Sequence, residues 1–413
     1  MSPRSRPALV PALLSLSLTC AAAQVQAQIP VETSPVAPTV VPATELPPAL
    51  PPAPLLDVPP PAATPPVAPL PDAPPPATPE ATPPVVDITA YAQSPVAMAF
   101  ADDLAQRRGL DPLWVREQIG AARRQPTVIR LSLPAPRAAF KNWAAYRARF
   151  IEPVRLRAGQ RFWDTHRAAL ERAEREFGVP ASLIVGVIGV ETLYGQHTGN
   201  FRVIDALATL AFDFPASHPR AEARAEFFRS ELEQFLSLAH RTRMDPQTLR
   251  GSYAGAMGWP QFMPSSWARF AIDFDGDSKI DLFNSPVDAI GSVANYFKAY
   301  GWQPGQPTHY PVSFDLSRLD KDALLAPDIL PSFSAESFGA KGAVLDAEGQ
   351  KHIGKLALIE LQNGDPANGG SAPTYLAGTD NFYVVTRYNW SSYYALAVIE
   401  LGQTIEALVN RRQ

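Results

Sequence analysis

The chain has 413 residues, 46% of them apolar, which suffices for a substantial core, and its formal charge of −4 offers no basic footprint for nucleic acid. Six histidines without metal-ligand spacing and a lone cysteine, Cys20, argue against a zinc site and against a disulfide framework. Neither a catalytic metal nor a nucleic-acid partner is expected.

Residues 1–27 read as an export signal: Arg4 and Arg6 precede an apolar run from Ala8 to Leu18, and small residues end at Ala27. Cleavage there removes Cys20; an uncleaved or lipidated N-terminus would instead anchor the protein to a membrane. Residues 28–86 form a proline-rich linker. Pro30 to Pro84 holds 22 of the chain's 45 prolines and no glycine, aromatic, Lys or Arg. Such a segment cannot bury a core and favours polyproline II, which at about 3.1 Å per residue spans at most about 170 Å.

Helical periodicity begins after this linker. Helices are predicted over Pro95 to Arg108, Pro112 to Arg123 with Asp111 as N-cap, and Ala158 to Phe177 closed by Gly178, giving a helical leading subdomain over 87–178. A core over 179–302 adds a helix ending at Glu191 and further helices at Ile204 to Ala211, Arg220 to Arg241, Pro264 to Phe270 and Pro286 to Tyr300. From 303 to 375 the pattern shortens to alternating runs, including His309 to Phe314 and Lys355 to Leu361, which predicts a small inserted β subdomain. Residues 376–413 return to the core through a strand at Phe382 to Thr386 and a closing helix at Tyr393 to Asn410. The fold class is mainly α, of α+β type.

One carboxylate stands out. Pro180 suits the first position and Gly195 the exit of an apolar helix, so Glu191 falls in its last turn with Ile184, Val187 and Ile188 behind it. Apolar surroundings and the negative helix end both disfavour its charge, raising its pKa towards roughly 6 to 7. Gly251 to Trp267 is a second unusual stretch: small residues let a ligand approach, Ser252 and Gln261 offer hydrogen bonds, and Tyr253, Met257, Trp259 and Phe262 offer apolar faces for sugar rings. A third, Asp273-Phe-Asp275-Gly-Asp277-Ser-Lys279-Ile-Asp281, places oxygens at positions 1, 3, 5 and 9 of an EF-hand-like loop, with Lys279 offering its carbonyl; hard ligands at that spacing favour Ca²⁺. Ser278 replaces the usual glycine at position 6 and Asn284 the closing Glu at position 12.

The Gly-Val-Glu-Thr segment at Glu191, Asp205 to Leu210, Gly255 to Ser266 and Val287 to Lys298, in this order, resemble the family B lytic murein transglycosylases, glycoside hydrolase family 103. The resemblance runs from about Trp143 to the C-terminus and implies a lysozyme-like catalytic core. It implies Glu191 as the single catalytic acid/base and Tyr146, Arg224, Ser252, Gln261, Tyr296, Tyr388, Asn389 and Tyr394 as glycan-binding residues. It places the carboxylate that closes the calcium loop at Asp288, a position that also suits N3 of the helix begun by Ser285 and Pro286. The implied protein is an exported, periplasmic monomer acting on peptidoglycan glycan strands, needing no cofactor for catalysis and carrying a structural Ca²⁺. A glycosidase that uses water generally needs two carboxylates. Asp205 and Asp213 are the candidates for a second, each as readily a cap or loop residue. The alternatives are a hydrolytic muramidase and a non-catalytic, calcium-stabilised wall-binding module.

Overall fold

The computed structural model describes residues 90–133 and 141–412. The export signal over 1–27 and the proline-rich linker over 28–86 lie outside the described residues. In chain order come α1 (Pro95–Arg108), α2 (Pro112–Gly120), α3 (Pro126–Leu131), α4 (Trp143–Ala148), α5 (Pro153–Phe177) and α6 (Ala181–Thr192). Next are β1 (Phe201–Arg202), α7 (Val203–Phe212), α8 (Ala221–Thr242), β2 (Arg250–Gly251), α9 (Pro264–Phe270) and α10 (Pro286–Ala299). The C-terminal part contains β3 (His309–Phe314), α11 (Lys321–Leu325), α12 (Ala335–Ala340), β4 (Ala343–Leu345), β5 (Ala357–Asn363), β6 (Ser371–Gly378), α13 (Asp380–Thr386) and α14 (Ser392–Asn410).

Local chemistry explains most helix boundaries. Ser94 and Asp111 cap α1 and α2 by accepting backbone N–H bonds from Ala97 and Leu113, and proline follows each cap. Gly109 and Gly178 end α1 and α5 in the left-handed conformation. The predicted strand at Phe382 to Thr386 is instead α13. β-branched and aromatic residues favoured a strand, but Thr379 caps the segment through Asn381 N–H, and Phe382 and Val385, three apart, are both fully buried on one helical face. The α2 prediction runs three residues too long, because the chain leaves the helix at Ala121 to bridge Arg123 with Ala90.

The sheet has order β4-β3-β6-β5, antiparallel throughout. Its two faces belong to different cores, as the alternation of a strand requires. Ala357, Ile359 and Leu361 of β5 join the large helical core, whereas Leu358 joins a small core with Tyr310, Leu324, Phe338 and Leu345.

At the centre lies α6, buried from Ala181 to Val190 and apolar on every side, as a helix surrounded by other helices must be. It packs antiparallel to α14 through two glycines. A Cβ on Gly186 would stand 2.2 Å from the Val398 carbonyl oxygen, and one on Gly402 would stand 1.9 Å from that of Ser182. Both approaches demand glycine. Gly402→Ala is therefore expected to destabilise by about 2 kcal/mol through overpacking, read as a lower urea midpoint at unchanged m-value.

Candidate active site

The close α6–α14 approach sets the site. It brings Tyr394, in the first turn of α14, against Glu191, in the last turn of α6, and the Tyr394 hydroxyl donates to Glu191 Oε1 at 2.5 Å. Among the described residues no hydrogen bond reaches Oε2, which leaves it for a ligand. The helix ends slightly sooner than Gly195 suggested, at Thr192: Leu193 and Tyr194 already take positive φ of 50° and 57°, and Pro180 occupies the N-cap position rather than the first helical one. Thr192 secures the exit by donating to the Trp259 carbonyl at 2.9 Å and accepting the Gly195 N–H at 3.1 Å.

Glu191 sits in the wall of a pocket that also includes Phe227, Phe228, Ser252, Tyr253, Gln261, Met263, Tyr388 and Asn389. Among the described residues lining it, Glu191 is the only carboxylate. Withdrawal from water raises its pKa from 4.5 to about 7, against a smaller downward effect of the Tyr394 hydrogen bond. The helix terminus contributes less than its position suggests, because Arg155 donates to the Gly189 carbonyl at 2.8 Å and offsets the negative end of α6.

The polar wall residues have defined valences. Ser252 Oγ accepts from Ala254 and Ala256 N–H at 3.3 and 3.0 Å, so its proton is available to donate. Gln261 commits its amide nitrogen to the Thr198 and Gly258 carbonyls at 3.0 and 2.9 Å, so it offers only an acceptor oxygen. Asn389 Oδ1 is buried without a partner among the described residues, an acceptor suited to a ligand N–H or O–H.

Of the predicted glycan-binding residues, Ser252, Gln261, Tyr388 and Asn389 line this pocket, and Tyr394 meets it through Glu191. Tyr296 lies behind Tyr388, with ring centroids 4.8 Å apart and its hydroxyl bonded to the Arg387 carbonyl. Tyr146 packs on Trp143, Phe150 and Tyr393 beside Tyr394. Arg224 lies over Phe228 and Phe227, at 5.4 and 5.9 Å, and faces Tyr253, so it backs the wall. Met257, Trp259 and Phe262, expected to offer sugar-facing surfaces, are used otherwise. Met257 and Phe262 are buried in the core, and Trp259 packs on Gly195 while donating to the Phe283 carbonyl at 3.0 Å. Sequence reasoning missed Phe227, Phe228 and Met263. The aromatic pair sits one turn after Arg224, and that spacing was the available signal.

The two other acidic candidates are structurally employed. Asp205 accepts from Arg202 Nη2 at 2.7 Å and from Arg123 N–H at 2.9 Å, and Asp213 accepts from Tyr91 at 2.5 Å and pairs with Arg124.

In the acidic loop, Asp273, Asp275 and Asp288 each bring one carboxylate oxygen within 4.8 Å of the others. Asp277 and Asp281 are outside this group: Asp277 accepts the Lys279 N–H, and Asp281 accepts those of Phe283 and Asn284. Asp288 stands at N3 of α10, the position foreseen for it in the helix begun by Ser285. Its N–H donates to the Ser285 cap, and its carboxylate accepts from Phe274, Asp275 and Asp281 N–H. Burial pushes its pKa up most and the Asp275 charge adds to that, against those three donors. Ser278 has φ +72°, the left-handed conformation for which position 6 usually carries glycine. Ser278→Gly should stabilise the loop by about 0.5 kcal/mol, measurable as a small rise in melting temperature.

Comparison with known proteins gives the family. The transglycosylase SLT domain family matches residues 92–403. The chain belongs to this family. Among relatives, membrane-bound lytic murein transglycosylase B of Escherichia coli (strain K12) is 39% identical over 327 residues, covering 76% of this chain and 84% of the relative. Two structures of the E. coli lytic transglycosylase Slt35, each 37% identical, cover 80% of this transglycosylase chain and 99% of theirs. The bulgecin A complex has a TM-score of 0.68 and the calcium complex 0.65. SltB3 of Pseudomonas aeruginosa in complex with NAG-NAM-pentapeptide has a TM-score of 0.60 at 30% identity, covering 75% of this chain and 79% of that one.

Proposed function

We propose that this lytic murein transglycosylase cleaves the MurNAc-GlcNAc β-1,4 bond with Glu191 as its only proton-transfer group. The observation that carries this is a lone pocket carboxylate whose pKa lies near 7. Glu191 enters protonated, with the proton on Oε2, and donates it to the glycosidic oxygen as the bond to the muramyl C1 breaks. The resulting carboxylate, held by Tyr394, takes the proton of the muramyl 6-hydroxyl, whose oxygen closes on C1 to form a 1,6-anhydro ring. No water is consumed, which is why one carboxylate suffices where hydrolysis generally needs two. Mass analysis of digests tests this: anhydromuramyl ends are lighter by one water, and finding reducing muramyl ends alone would establish a muramidase instead.

Because the first step needs the protonated acid, kcat/KM should fall as pH rises through about 7. Tyr394→Phe removes a hydrogen bond that favours the carboxylate, so the falling limb of the profile should move to higher pH.

Three further proposals accompany this reading. A structural Ca²⁺ is held by Asp273, Asp275 and Asp288 at its nucleus; the carboxylate chemistry fits a hard cation, and an Slt35 structure is a calcium complex. Export places the protein in the periplasm as a monomer, acting on peptidoglycan strands. Among the described residues no helix is long and apolar enough to cross a membrane. Deleting residues 30–84 should leave cleavage of short soluble strands intact, and a large loss on them would assign the linker more than a spacer role.

A further inference from the structure

Arg387 directly precedes Tyr388 and Asn389 of the pocket, and its guanidinium lies among three aromatic rings. Its carbon stands 5.4 Å from the ring centre of Trp390, 5.5 Å from that of Tyr300 and 5.7 Å from that of Tyr383. Nη1 donates to the Tyr383 hydroxyl at a long 3.3 Å. Among the described residues no carboxylate pairs with it, although the chain carries more acidic than basic groups. Arg387 and the three aromatic residues are all partly exposed, so the cluster is a surface feature.

The physics of this arrangement favours an anion. Aromatic faces fix the guanidinium plane and thin its hydration without consuming its donors. Five N–H groups in a rigid fork then confront solvent with a single weak internal acceptor. Such a fork matches a carboxylate, which it binds through two parallel hydrogen bonds. Its backbone is tied to the pocket wall, two of whose residues follow it directly in the chain. The Arg387 carbonyl accepts from Tyr296 at 2.6 Å, and Tyr296 packs on Tyr388, which lines the pocket beside Glu191.

We infer that the Arg387 guanidinium, framed by Tyr300, Tyr383 and Trp390, binds a carboxylate of the peptide stem borne by the glycan in the Glu191 pocket. The inference rests on the transglycosylase reading and adds a determinant of which strands bind well. A stem carries at least its terminal carboxylate, and the pocket walls are themselves mainly apolar and uncharged. The contact acts on binding and leaves the chemistry to Glu191.

The test compares soluble glycan oligomers whose stems carry free carboxylates with the same oligomers after those carboxylates are converted to amides. The wild-type enzyme should show a KM about tenfold lower on the free acids, the scale of one charge-assisted, partly exposed pair, and the advantage should shrink as salt is raised. In Arg387→Gln the advantage should vanish, while Arg387→Lys should keep part of it, having the charge without the fork. Equal wild-type KM on both substrates would overturn the inference whatever the variants do. So would a Gln variant that weakens on both substrates by the same factor, the signature of a merely structural clamp. Absence of cleavage on either substrate would instead overturn the transglycosylase reading, and this inference with it.

Discussion

Glu191→Gln is expected to lower turnover by at least about 100-fold while leaving glycan binding in place, the lower bound for losing general acid/base catalysis. The amide preserves shape and can still accept from Tyr394, yet it cannot surrender and recover a proton. A second consequence concerns stability. Holding this carboxyl in the fold raises its pKa from 4.5 to about 7, so the folded state favours the protonated form. The sign follows: the contribution is fully present below about 4.5 and is lost as pH rises through about 7, leaving a charged, poorly solvated carboxylate above it. Gln carries no such penalty. The variant should therefore match the wild type near pH 4.5 and exceed it by on the order of 3 kcal/mol at pH 8, in paired denaturant titrations. An inactive variant that is also more stable at alkaline pH marks a group kept for chemistry. Near-normal turnover would remove Glu191 from its role.

What the sequence made legible was what local chemistry decides. The apolar helix with one carboxylate in its last turn, the capped starts at Asp111 and Ser285, and the strand at His309–Phe314 are each written in residue type and spacing. Less legible was what distant packing decides. Nothing near Phe382 reveals that both it and Val385 would face one core, so a strand-like composition folded as α13. Likewise, the aromatic residues of the Gly251 to Trp267 stretch could not be divided by composition into pocket and core. That division depends on α6, because Trp259 packs on Gly195 beyond the helix exit and does not line the pocket. The Tyr394 contact was legible only through the family resemblance: the two residues are 203 positions apart, and glycines in two different helices set the distance between them.

Removing calcium should lower the melting temperature by several degrees, and Asp275→Ala should remove most of the difference between calcium-loaded and chelated protein. Asp273, Asp275 and Asp288 are gathered within 4.8 Å, and the last of these is 1% exposed. Without a cation, three like charges converge on a partly buried point, an arrangement that opposes folding. A cation bound only by the folded chain reverses this by mass action, contributing about 2.7 kcal/mol at a hundredfold excess over its Kd. For a domain larger than about 200 residues that corresponds to about 5 °C. The effect should reach beyond the loop. Asp288 opens α10, which carries Tyr296 behind the pocket wall, and the Phe274 ring packs on Gly291 of the same helix and beneath Arg172 of α5 at 3.5 Å. Chelated protein should thus lose part of its glycan affinity as well as thermal stability, and both should return on adding Ca²⁺. An unmoved melting curve, starting from protein confirmed metal-free, would mean that the carboxylate cluster is held by its backbone hydrogen bonds alone.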